Sequence, residues 1–108
     1  MANTFKLKTK ASVGVTTTPV YVVPSSTTTV IIGITASNIS GNNINVGIGI
    51  TRASADDVHL MKNVPIPQGS SFEFMQGNKI VLETTDTLTA KSDVNNSLDV
   101  ALTIMEIT

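Results

Sequence analysis

Apolar and polar residues alternate with a period of two along much of the chain, the spacing of strands that bury one face. Ile44, Val46, Ile48 and Ile50 form the clearest row, with Asn45, Gly47, Gly49 and Thr51 on the opposite face. Leu98, Val100, Leu102 and Ile104 form a second, opposed by Asp99, Ala101 and Thr103. Val30, Ile32, Ile34 and Ala36 predict a third, and Ile31 on its other side predicts partial cover on both faces. Shorter runs predict further strands: Phe5 and Leu7 alternating with Lys6 and Lys8, Val20 to Val23 stopping at Pro24, and Val58, Leu60 and Lys62 alternating with His59 and Met61. Phe72 with Phe74, Ile80 with Leu82, and Leu88 with Ala90 complete the series.

Turn residues separate these runs. Pro24-Ser25-Ser26, Ser40 to Asn43, Pro65 to Gly69, Gln76-Gly77-Asn78 and Asn95-Asn96-Ser97 each fall between strands, and Gly41, Gly69 and Gly77 are suited to positive φ. No segment sustains a 3.6-residue period, and Ala53 to Asp57 reads as a loop. The expectation is an all-β chain: one small β-sandwich, Ig-like or jelly-roll-like, of about eight or nine short strands. Residues 1–108 form a single domain in this reading, with 1–12 a candidate extended N-terminal arm. Gly47 and Gly49 leave two explanations open. Either the strand is bulged or lies at an edge, or another chain's backbone approaches closely.

Composition adds constraints. The chain has 108 residues, a net charge of -1, 14% charged residues and no cysteine. A chain of this length holds a core without staples, and disulfides and thiolate metal sites are excluded. No basic patch large enough for nucleic acid is present. No apolar run is long enough to span a bilayer as a helix, and no secretory signal is visible in Met1 to Lys10. Ser, Thr and Asn make up roughly a third of the residues, so the polar surface is mostly uncharged, unlike that of a free, charge-stabilised monomer.

The residues that carry chemistry are few. His59 is the only histidine and lies in no nucleophile motif. Asp56, Asp57 and Asp93 do not follow a calcium-loop spacing. Glu73, Glu83 and Glu106 read as solvent-facing charges that blunt strand edges, and Phe72 and Phe74 read as core. The expectation is therefore no enzyme, no cofactor, no metal and no small-molecule substrate. Lys6, Lys8 and Lys10 line one side of an extended segment, as a solvated edge strand or as an arm reaching a neighbour. They are candidate interface residues, together with the loop Ala53, Ser54, Ala55, Asp56 and Asp57.

Four segments carry a resemblance. They are Val23-Pro24-Ser25-Ser26-Thr27-Thr28-Thr29-Val30-Ile31, Lys62-Asn63-Val64-Pro65-Ile66-Pro67-Gln68-Gly69-Ser70-Ser71, Lys79-Ile80-Val81-Leu82-Glu83 with Asp86, and Ser97-Leu98-Asp99-Val100-Ala101-Leu102 through Glu106. In this order they resemble small all-β virion proteins of tailed bacteriophages, especially phages of marine bacteria. The resemblance covers the chain from about Val20 onward and consists of turn-and-strand patterns, in which Asp86 fits a turn and Pro65 and Pro67 stiffen a connection. It implies a structural protein of the particle, assembled in the host cytoplasm. The role expected is a capsid decoration or cement protein whose partners are other copies of itself and the major capsid protein. Nucleic acid and membranes are not expected partners. A neck or tail component, and a receptor- or glycan-binding module, are the alternatives.

Overall fold

The computed structural model describes residues 3–53, 55–74 and 79–108, and of Phe74 the backbone alone. Among the described residues nine strands form: β1 (Asn3–Val13), β2 (Thr18–Val22), β3 (Thr28–Asn38), β4 (Ile44–Thr51), β5 (Val58–Ile66), β6 (Ser71–Phe74), β7 (Ile80–Leu82), β8 (Thr87–Ser92) and β9 (Leu98–Ile107). They make two antiparallel sheets packed as a β-sandwich. Sheet A runs β1-β9-β3-β6, with β7 also on β3, and sheet B runs β2-β8-β4-β5. β6 and β7 pair successive stretches of β3 and share one edge position. Counted so, the chain passes A, B, A, B, B, A, B, A, which is the two-sheet order of a jelly roll rather than of an immunoglobulin domain.

The rows of β4 and β9 face each other across the interior, and Ile48, Leu98, Leu102 and Ile104 are fully buried. Each such side chain contributes about 1.5–3 kcal/mol by leaving water. The two prolines within strands fall in edge strands, Pro19 in β2 and Pro65 in β5, where a missing N–H is tolerated. Gly69 takes positive φ in its turn as expected, whereas Gly41 does not; Ser26, Thr85 and Asn96 supply the left-handed positions of other turns. The expected turn at Gln76 to Asn78 lies outside the described residues.

Two expectations of burial are corrected. In β3 the buried residues are Thr29, Ile31, Ile34, Ala36 and Asn38, while Val30 and Ile32 are only half-buried. A β-bulge causes this: pairing with β9 skips between Ile31 and Gly33, so the inward parity changes from odd to even within one strand. The second correction is Phe72, expected in the core. It sits at the margin of sheet A, opposite Ala36, and is 38% exposed.

Candidate functional site

β1 is tied to the body of the fold. It pairs with β9 from Asn3 opposite Ile107 through Lys10 opposite Val100, and a bulge at Ser12 (φ 56°) then turns Val13 into the core. The Ser12 N–H donates to Asp99 Oδ1 at 2.9 Å across that bulge. The described part of the expected arm is thus an edge strand. Its lysines stand on an unexpected side. Lys6, Lys8 and Lys10 lie opposite Ile104, Leu102 and Val100, on the inward face, whereas Phe5 and Leu7 lie opposite Met105 and Thr103, on the outer face. The facing edge strand β2 has five residues against eleven in β1, so β1 overhangs it and the lysine stems run along the margin to water.

One carboxylate waits inside for this strand. Glu106, expected to face solvent, is buried at 5% exposure. Lys6 Nζ lies 2.7 Å from its Oε1, and the Tyr21 hydroxyl donates to its Oε2 at 2.5 Å. The same hydroxyl lies 2.8 Å from Thr29 Oγ1. Even numbering along β9 forces Glu106 inward beside Leu102 and Ile104, and the cluster satisfies it there. The Lys6 ammonium first, then the Tyr21 hydroxyl, hold the Glu106 carboxyl below the usual carboxylate range. Burial first, and then Glu106, push the Tyr21 hydroxyl up to about 12. This arrangement latches β1 onto β2, β3 and β9; nothing in it presents a base or a nucleophile to an open cleft.

The loop candidates are solvent-facing. Ala53, Ala55, Asp56 and Asp57 are exposed, and Ser54 lies outside the described residues. Asp57 accepts the Arg52 N–H at 2.8 Å, which closes the loop on itself. Arg52 itself pairs with Glu83 and lies 3.2 Å from Asp86 through Nε. Asp86 closes the β7–β8 turn as expected: its Oδ2 accepts the Glu83 N–H at 2.9 Å. Sequence reasoning did not find the Arg52 cluster, because its members lie 31 and 34 positions apart. Asp93 caps a different loop, accepting from Asn45 N at 2.9 Å. Among the described residues no three His, Asp or Glu side chains converge as a metal site.

The outer face of sheet B holds a groove of about 190 Å³, walled by His59, Lys62, Lys91 and Asp93 and floored by Gly47 and Gly49. The glycines have an internal reason. β5 carries two bulges against β4, one of them at Asn63 (φ 53°). A Cβ at Gly49 would meet Val58 O at 3.2 Å and Thr89 Oγ1 at 3.3 Å. The close backbone is this chain's own bulged strand, so no second chain is needed to explain them. His59 pairs opposite Gly49 and is exposed.

The outer face of sheet A is different in kind. Phe5 stands opposite Met105, Met105 opposite Val30, and Val30 opposite Val81, so one apolar row crosses four strands in register. Phe5 is 70% exposed and Val81 59%. Leu7 (65% exposed) and Ile107 extend the patch along β1 and β9. The charged side chains that pairing places on this face, Asp99 and Glu73, stand toward its other end, opposite Ser37 and Thr35. This surface is not visible in the sequence because the row exists only through register: Phe5 and Leu7 alternating with Lys6 and Lys8 predict a strand and leave open which side faces out.

No protein-family model, no curated protein and no solved structure matches the chain.

Proposed function

We propose that this domain is a non-catalytic structural subunit of a tailed-phage particle, a capsid decoration protein that stabilises the head by covering junctions of the major capsid protein. The observation that carries the reading is the apolar row Phe5–Met105–Val30–Val81, set apart on its sheet face from the two carboxylates at the other end, Asp99 and Glu73, a surface suited to being packed against. The phage-like turn and strand segments point the same way. So does the jelly-roll order, an architecture used by capsid and lectin domains, as an analogy at the level of fold. Many copies, each making modest contacts, hold a lattice through multivalency.

Quantitative mass spectrometry of purified particles tests the proposal. A decoration protein is present in a copy number proportional to that of the major capsid protein. Absence from the particle contradicts a virion role, and a handful of copies per particle moves the protein to the neck or tail. The receptor- or glycan-binding alternative has the groove on sheet B as its own observation, and saturable binding on a glycan array that is lost with Lys62→Ala and Lys91→Ala would favour it.

A further inference from the structure

We infer that the outer face of sheet A is the contact surface for a second copy of this chain, packed face to face across a two-fold axis. The inference deepens the structural reading above by naming the partner of that face, and it is tested on the isolated chain. Three features favour a copy over another occupant.

The first is size. Four strand positions spaced about 4.8 Å apart, each of about ten residues rising about 3.3 Å, give a face of about 600 Å². Two copies then bury about 1,200 Å², the lower bound for a stable specific interface.

The second is charge. Phe5, Leu7, Val30, Val81, Met105 and Ile107 carry none, and the two carboxylates of the face, Asp99 on β9 and Glu73 on β6, stand at its other end, so an isologous contact whose axis runs along the strands between β9 and β3 sets neither against its own copy. A partner recognised by charge would find nothing in the apolar row to pair with.

The third is the failure of the competing homotypic contact. The outer edge of β1 is unpaired in sheet A, but joining two β1 edges antiparallel about Lys8 sets Lys8 against Lys8 and Lys6 against Lys10, on one side of the continued sheet. Like charges directly opposite one another disfavour that pairing. The chain thus resists edge-to-edge growth while leaving its apolar face open, and face-to-face packing gives a closed dimer.

Sedimentation velocity on the full chain, from micromolar to hundreds of micromolar, tests this directly. The expected result is a monomer–dimer equilibrium. Phe5→Asp with Val81→Asp raises its dissociation constant about 100-fold or more, as the loss of central anchors does. Circular dichroism confirms that the variant is folded; where it is not, Phe5→Ser takes its place. Lys91→Ser, on the outer face of sheet B, leaves the equilibrium unchanged. A wild-type chain that stays monomeric throughout the range overturns the inference without recourse to any variant. So does a dimer that survives the aspartate substitutions, or one that Lys91→Ser dissociates equally. A monomer that needs Phe5 and Val81 to bind purified capsids assigns the face to another virion subunit and overturns the second-copy contact. Absence of the protein from particles leaves the sedimentation result standing, so the two readings fail separately.

Discussion

The two outer faces of the sandwich follow the same rule of alternation and come out opposite. On sheet B, the positions between the core residues of β4 are Asn45, Gly47, Gly49 and Thr51, and the neighbouring strands add Thr89, Lys91, His59 and Lys62. On sheet A, the same kind of position holds Phe5, Val30, Val81, Met105 and Ile107. Each sheet needs only its inner face to build the core. The inner faces are alike because one core demands both. The outer faces are free to differ, and the difference is where this chain's relations with other molecules are expected to be written.

The sharpest way to break this comparison is to show that the apolar outer row belongs to the core after all. Leu102 and Met105 lie on β9, facing opposite ways. Leu102→Ala removes a fully buried side chain and is expected to cost about 2–5 kcal/mol in urea unfolding. Met105→Ala is expected to cost less than about 1 kcal/mol at concentrations where the chain is monomeric. Equal losses would mean that the outer row stabilises the monomer and that the contrast between the faces is false.

The next effect comes from the latch that holds β1, and with it Phe5 and Leu7, on sheet A. Tyr21→Phe leaves buried Glu106 and Thr29 without the shared hydroxyl and is expected to destabilise by about 1–3 kcal/mol. The pH dependence has a definite sign. Glu106 titrates lower in the folded chain than the ordinary value of 4.5, so its contribution is complete above that value and is lost as pH falls through the folded value. Tyr21 titrates at about 12 instead of 10.0, so its contribution is complete below pH 10.0 and is lost as pH rises through about 12. Thermal melts across acid pH should show a fall that Glu106→Gln diminishes. An unchanged acid profile in that variant would remove Glu106 from the latch.

The smallest effect compares two glycines, one on each outer face. Gly49 is crowded by Val58 and Thr89, and Gly49→Ala is expected to destabilise by about 1 kcal/mol. Gly33, beside the bulge of β3, has nothing within 4 Å of an added Cβ, so Gly33→Ala is expected to be neutral or to stabilise by up to about 1 kcal/mol. Reversal of that order would contradict the explanation of the glycine-floored groove.

The residues themselves show why some of this was legible in the sequence and some was not. β4 and β9 keep an unbroken period of two at their buried positions, and both core rows and the all-β class follow from composition and spacing alone. β3 does not keep it, because the extra residue at Ile32–Gly33 exists only relative to β9. The orientation of β1 is likewise a property of pairing. Lys6 belongs inward because Glu106 is there to receive it, and that pair is separated by the length of the chain. Glu106 and Phe72 were misplaced for the same reason: burial at a sheet margin depends on how far the facing sheet extends. The apolar row is the extreme case, since its four members come from four strands and share no local pattern.

The most direct measurement of the central proposal, that the domain is a structural subunit whose sheet A face is covered in an assembly, is a cryo-EM map of the phage particle proposed to carry it. Density for this jelly roll is expected at symmetry-related positions over the capsid, with Phe5, Val81 and Met105 buried against a second copy. A map in which that face points to open solvent at every occupied position would contradict it.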